Sequence, residues 1–270
     1  MNITFIGGGN MASAIIGGLL QKGWQADAIR VAEIDAGART RLERELRVKA
    51  FADIGAAAAD SACVVLAVKP QQMREAAQAL RKALASQLVI TIAAGIRSGD
   101  LSRWLGDYQR IVRAMPNTPA LVLAGVSGLY AMPAVSAADR TQAENIMGAV
   151  GSTLWLEREE QMDAITAVSG SGPAYVFYFI EALQQAAAGL GFSTDEARKL
   201  ALDTFAGAVK LAAASSEDAA ILRARVTSKG GTTERALNTL ETEKTRQIIM
   251  RAVRAAAERS QELGNEFGKD

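Results

Sequence analysis

The chain has 270 residues, 49% hydrophobic and 22% charged, with 30 Lys and Arg against 29 Asp and Glu. That length suits one large or two modest domains, and the near-zero net charge offers no electrostatic footprint for nucleic acid or an acidic membrane surface. There is no histidine and one cysteine, Cys63, which excludes histidine acid–base chemistry, structural zinc and an internal disulfide framework, so no metal centre is expected.

The first strand is expected within two residues of the start, leaving no room for a secretion signal. No apolar run reaches membrane-spanning length. Both features, with the sparse cysteine, lead to an expected cytoplasmic location. Cys63 lies inside an apolar run and reads as a buried small hydrophobe rather than a nucleophile.

Ile3 to Ile6 is a short apolar run that reads as a buried strand. Gly7, Gly8 and Gly9 follow. A helix pattern comes next, with Ala12, Ile15, Ile16, Leu19 and Leu20 on one face. The spacing is G-x-G-x-x-A. Gly7 permits the tight turn, Gly9 leaves room for a pyrophosphate, and Ala12 allows close packing of helix on strand. The start of the helix presents free N–H groups to an anion. Gly7, Gly8, Gly9, Asn10, Met11 and Ala12 are therefore candidates for cofactor contact.

Ala28 to Glu33 reads as the second strand. Glu33 stands 24 residues beyond Gly9, near where a dinucleotide site places a carboxylate on the adenosine ribose. A carboxylate there favours NAD. Arg39 and Arg41, just downstream, are an alternative hold for a 2′-phosphate. Ala38 to Leu46 is expected as a charged amphipathic helix.

Ser61 to Val68 is a continuous apolar run, as a central parallel strand would be. It ends in Lys69-Pro70, with a helix expected from Gln71 to Leu84. Ligands bind outside the carboxyl ends of such strands, so Ala67, Val68, Lys69 and Pro70 join the cofactor candidates. Leu88 to Ala93 is the next strand; Ala94 and the turning Gly95 at its end are further candidates. Ser98 or Asp100 is expected to cap the following helix. Arg110 to Ala114 is another strand, ending in Met115-Pro116-Asn117-Thr118-Pro119. The prolines stiffen that loop, and Asn117 becomes a candidate wall of the cofactor site or a plain turn residue.

Gly125 to Ala131, a helix from Ala137 to Ala149, and Ser152 to Leu156 continue the alternation. The class is α/β: an N-terminal Rossmann-type doubly wound sheet over residues 1–160, then an all-helical C-terminal domain over 161–270. The last residues, from Gly264, are expected to fray. In the helical half, Ser169-Gly170-Ser171-Gly172-Pro173 precedes an apolar helix, Ala174 to Ala188. Val226 to Thr233 places Thr227, Ser228, Gly230, Gly231, Thr232 and Thr233 before a helix running to Leu240. Exposed N–H groups, a helix dipole and several hydroxyls suit a small carboxylate, the other reading being an ordinary helix cap.

At these residues the chain resembles pyrroline-5-carboxylate reductase from end to end. The resemblance rests on IGGGNMA (Ile6 to Ala12), AVKP (Ala67 to Pro70), AAGI (Ala93 to Ile96), MPNTP (Met115 to Pro119), SGSGPAY (Ser169 to Tyr175) and VTSKGGTTERALNTLE (Val226 to Glu241). It implies NAD(P)H-dependent reduction of 1-pyrroline-5-carboxylate to L-proline, the last step of proline biosynthesis, by hydride transfer to the imine carbon. It further implies that Ser228, Gly230, Gly231 and Thr232 hold the substrate carboxylate and that the Thr233 hydroxyl faces the ring nitrogen. The helical domain would bind substrate and form a homodimer, or a ring of dimers. Lys229 stands where the family usually has proline. The family usually prefers NADPH, whereas Glu33 leans toward NADH.

The absent histidine fits this chemistry. A protonated imine already carries its proton, so hydride addition gives a neutral amine and needs no dedicated acid. Two rival readings are a β-hydroxyacid dehydrogenase-like oxidoreductase and a non-enzymatic dinucleotide-sensing module. The first needs a lysine that the helix Ala174 to Ala188 lacks, and the second would need no Ser228 to Thr233 loop.

Overall fold

The β-branched and apolar runs form β1 (Ile3–Ile6), β2 (Ile29–Ala32), β3 (Lys49–Phe51), β4 (Cys63–Leu66), β5 (Leu88–Thr91), β6 (Ile111–Met115), β7 (Gly125–Ala131) and β8 (Gly151–Trp155) in a computed structural model that describes residues 1–269. They make one 8-stranded sheet, ordered β3-β2-β1-β4-β5-β6-β7-β8. Pairings are parallel from β3 across to β6; β7 runs antiparallel to β6, and β8 parallel to β7. The chain order reverses between β1 and β4, and that reversal opens the crevice where α/β sheets bind ligands.

Alternate side chains of the central strands leave on opposite faces, because the side-chain period in a strand is two. Ile3, Phe5, Cys63, Val65, Leu88 and Ile90 enter one core with Ile15, Ile16 and Leu19 of α1 (Asn10–Gln21). Ile6, Val64, Leu66 and Val89 enter the other. The other helices between the strands are α2 (Ala36–Leu46), α3 (Ile54–Ala58), α4 (Met73–Arg81), α5 (Ser98–Trp104) and α6 (Ala137–Met147); α7 (Gln161–Ile165) follows the last strand. Met73, Ala77 and Leu80 of α4 close the second core. Both sheet faces are thus covered, which is why these strands read as unbroken apolar runs. Thr4 is a buried exception, and its hydroxyl is satisfied by the Ala57 carbonyl at 2.8 Å and the Ser61 hydroxyl at 2.6 Å.

The chain divides into two compact units, Met1–Ser171 with the segment from Ala256 onward, and Gly172–Ala255. The second is helical: α8 (Gly172–Gly189), α9 (Thr194–Ala213), α10 (Ala219–Arg225), α11 (Thr232–Thr242) and the start of α12 (Thr245–Phe267). A π-helical turn, Thr166–Gly170, precedes α8.

Several local expectations change. β3 and α3 fill a stretch that carries no clear period: β3 has three residues and begins on an exposed lysine. α2 starts earlier than expected because Asp35 caps it, accepting from Ala38 N at 2.6 Å. Neither Ser98 nor Asp100 caps α5. Its first N–H, that of Ser98, donates instead to Glu159 Oε1 at 2.6 Å, a carboxylate that also accepts from the buried Arg113 at 2.9 Å. The expected fraying from Gly264 is not seen up to Phe267, where the helix continues and Phe267 packs with Leu263 on the glycine face of Gly95; Asp270 lies outside the described residues.

Candidate active site

The turn from β1 into α1 is built by three glycines with three different surroundings. Gly7 has φ +96°, and a Cβ there would lie 2.9 Å from the Ala67 carbonyl oxygen. A Cβ on Gly8 would collide with Leu42 Cδ1. A Cβ on Gly9 would meet nothing within 4 Å. Gly7 and Gly8 therefore answer to the protein's own packing. Gly9 leaves an open space at the head of α1, whose N-terminus takes no side-chain cap. An uncapped helix start facing a cleared space fits the pyrophosphate of a dinucleotide.

Glu33 follows β2 and points back at this loop. Its Oε2 accepts from Gly8 N at 2.9 Å and its Oε1 from Asp35 N at 3.0 Å. Gly7, Gly8, Gly9, Glu33, Ala67, Val68 and Lys69 line one cavity of about 310 Å³. Of the other residues singled out from sequence, Ala12 is buried under α1, Met11 is half-buried, and Asn10 is exposed at the first turn. Pro70 opens the short 3-10 turn Pro70–Gln72 that leads into α4.

Ala94, Gly95 and Asn117 stand outside that lining, after β5 and β6 in the same row of strand ends. Gly95 has φ +73° and is covered by Phe267. The Asn117 amide bonds protein on both sides: Oδ1 accepts from Val126 N at 2.9 Å, and Nδ2 donates to Ser169 Oγ and O at 3.1 and 3.2 Å. It thereby ties the Met115–Pro119 loop to the Ser169–Pro173 motif.

The cavity has a wall that the sequence reading missed. Gln72, at the end of the 3-10 turn, and Glu75, Ala76 and Ala79 of α4 line it. Their spacing of three and four is the signal that would have found them, since it places them on one helical face.

In the second unit, Ser228, Gly230, Gly231, Thr232 and Thr233 share one loop and the helix start that follows. Gly230 has φ +73°, which favours glycine. α11 begins at Thr232 with the glycine Gly231 as its N-cap. The Glu234 carboxylate accepts from Gly230 N at 2.7 Å, and the Ser228 carbonyl accepts from Gly231 N at 3.0 Å. Thr233 is half-buried; Ser228, Lys229 and Thr232 are exposed.

A doubly wound sheet, a glycine turn opening on clear space at a helix start and an acid after the second strand are the features of a dinucleotide-dependent oxidoreductase. Comparison with known proteins resolves the class further. Residues 159–263 match the family model for pyrroline-5-carboxylate reductase dimerisation, and residues 2–95 that for NADP oxidoreductase, coenzyme F420-dependent. The chain is 45% identical to the pyrroline-5-carboxylate reductase of Pseudomonas aeruginosa, covering 99% of this chain and 98% of that one. A pyrroline-5-carboxylate reductase structure from Coxiella burnetii superposes with a TM-score of 0.92 at 41% identity, covering 97% of this chain and 98% of that one. The Plasmodium falciparum pyrroline carboxylate reductase, solved with NADP bound, gives 0.89 at 29% identity, with 98% of each chain covered.

The chain belongs to the pyrroline-5-carboxylate reductase family. Its activity is the NAD(P)H-dependent reduction of 1-pyrroline-5-carboxylate to L-proline. This replaces both rival readings, the hydroxyacid dehydrogenase and the non-enzymatic module.

Proposed function

We propose that two sets of residues serve the reduction, one binding the dinucleotide and one the substrate. The dinucleotide is held by Gly7 to Ala12, Glu33 and Ala67 to Pro70, with Ala94, Gly95 and Asn117 contributing at the neighbouring strand ends. Bound NAD(P)H supplies a hydride to the carbon of the substrate's C=N bond. Ser228, Gly230, Gly231 and Thr232 hold the substrate carboxylate through hydroxyls and backbone N–H groups at the head of α11, the substrate taking Gly230 N from Glu234 and Gly231 N from the Ser228 carbonyl. Thr233 offers its hydroxyl to the ring nitrogen.

The observation that carries this reading is the start of α11, where Gly231 holds the N-cap position and the next two residues, Thr232 and Thr233, bring hydroxyls to the positive end of the helix. The chemistry asks little more of the chain. The protonated imine brings its own proton and charge, and the protein's share is positioning, water exclusion and a hydrogen bond to nitrogen. A histidine-free chain is sufficient for that.

The working form is a homodimer, or a ring of dimers, in the cytoplasm, with a small-molecule substrate and no nucleic-acid partner. The support for self-association is apolar surface on α8, where Phe177 and Tyr178 are 65% and 71% exposed. The match to a dimerisation model over residues 159–263 points the same way. Among the described residues, no helix is long and apolar enough to cross a membrane. The deciding experiment incubates purified protein with pyrroline-5-carboxylate and follows NADH or NADPH consumption alongside proline formation. Absence of turnover with both dinucleotides counts against the reading.

A further inference from the structure

We propose that Glu33 makes this enzyme discriminate against a 2′-phosphate, so that NADH is its preferred dinucleotide. The inference rests on the NAD(P)H-dependent activity and concerns which of the two cofactors the chain selects.

The geometry holds Glu33 in one place. Oε2 accepts from Gly8 N at 2.9 Å and Oε1 from Asp35 N at 3.0 Å, so both carboxylate oxygens are anchored by backbone N–H groups. The acid therefore belongs to the glycine turn and is not a free side chain at the end of β2. A carboxylate at this position accepts from a ribose hydroxyl and repels a phosphate on the same carbon.

The rest of the lining adds to that repulsion. Glu75 of α4 lines the same cavity, and Lys69 is its single base among the described residues. Neither arginine that could compensate lines the cavity. Arg39 stands at its rim, where its Nη1 is engaged by the Glu33 and Ile34 carbonyls at 2.8 and 2.9 Å. Arg41 is exposed on α2 and also lies outside the lining. A 2′-phosphate would thus bring about two negative charges toward two carboxylates and one lysine, in a partly desolvated cavity.

The test is fluorescence titration of the full-length enzyme with NADH and with NADPH, in the absence of imine. The expected result is NADH binding at least about tenfold tighter at low salt. The ratio narrows as ionic strength rises, because the repulsion is screened. Glu33→Gln keeps an acceptor for Gly8 N–H and removes the charge; it is expected to lower the ratio by about tenfold. Equal or tighter binding of NADPH by the wild type overturns the proposal, whether or not the variant folds. So does an unchanged ratio in a folded Glu33→Gln protein. If NADPH is preferred and Arg39→Ala abolishes that preference, Arg39 is the phosphate ligand and Glu33 is not the selector. Turnover of the imine, measured separately with each dinucleotide, tests the activity itself. Its failure would leave the binding ratio to decide the role of Glu33.

Discussion

The Gly7 α-carbon sits so close to the Ala67 carbonyl that an added Cβ would lie 2.9 Å from its oxygen, at a φ of +96°. Two positions along, Gly9 has φ −69° and open space around it. Gly7→Ala is therefore expected to destabilise the fold by about 2 kcal/mol or more, through left-handed backbone strain and contact with Ala67. Gly9→Ala is expected to shift stability by under about 1 kcal/mol, yet weaken dinucleotide binding at least about tenfold. Thermal melts and NADH titration of both variants check this. Equal effects on melting would contradict the separation of roles.

Asp139 lies under a two-pronged contact from Arg110, with Nε to Oδ2 at 2.9 Å and Nη2 to Oδ1 at 2.6 Å. That hydrogen bonding, helped by Ser136, holds its carboxyl down from 3.8 to about 2 against the opposing effect of burial. A carboxyl depressed in the fold stabilises it above the unfolded value, and the contribution fades as pH falls through the folded value. Asp139→Asn is expected to cost on the order of 2 kcal/mol near neutral pH. The gap from wild type should close as pH falls from about 4 toward 2. Denaturant melts across that range provide the measurement; a gap independent of pH would count against the ion pair as its origin.

Thr233 is half-buried in the first turn of α11 and does not cap it. Thr233→Ala should leave the helix intact, since alanine is the better helix former. Turnover is expected to fall by roughly 10- to 100-fold, the loss of one hydrogen bond to a charged group. Unchanged steady-state kinetics would remove Thr233 from the reaction.

Cys63 is fully buried in β4. Burial pushes its thiol well above its ordinary value, and the nearby charge of Asp139 adds to the shift. The native protein should resist a thiol reagent that labels the denatured chain completely, with labelling limited by unfolding. Rapid stoichiometric labelling under native conditions would show an opening near β4.

The exposed Phe177 and Tyr178 on α8 are costly in a monomer. Sedimentation at working concentration should give a dimer mass or a multiple of it. Phe177→Glu should shift that distribution toward smaller species. A wild-type monomer would leave this apolar surface unexplained.

Much of the architecture can be read from the residues because its signals are local. The run Ile3 to Ile6, three glycines and the period of α1 sit within a few residues of one another, and each element follows from its neighbours. The unbroken runs in β4 and β5 announce a sheet covered on both faces. β3 and α3 were not legible, because three residues beginning on a lysine carry no period and depend on pairing with β2. The cap of α5 was misread for a related reason. Ser98 and Asp100 are the nearest polar groups, but the acceptor of Ser98 N is Glu159, brought there from the segment between β8 and α7.

The residues alone, then, were enough to mark the glycine turn after β1, the acid after the second strand, the helical second half and the glycine- and hydroxyl-rich loop before α11. All of these are written in short-range spacing and side-chain chemistry. What only tertiary structure decided is where those groups point. Glu33 turns back onto Gly8, the Asn117 amide bonds Val126 and Ser169, one face of α4 walls the cavity, and Phe267 closes over Gly95. Apart from Asn117 with Val126, nine residues apart, these contacts join residues distant along the chain, and only the packing of sheet and helices brings such groups within bonding distance.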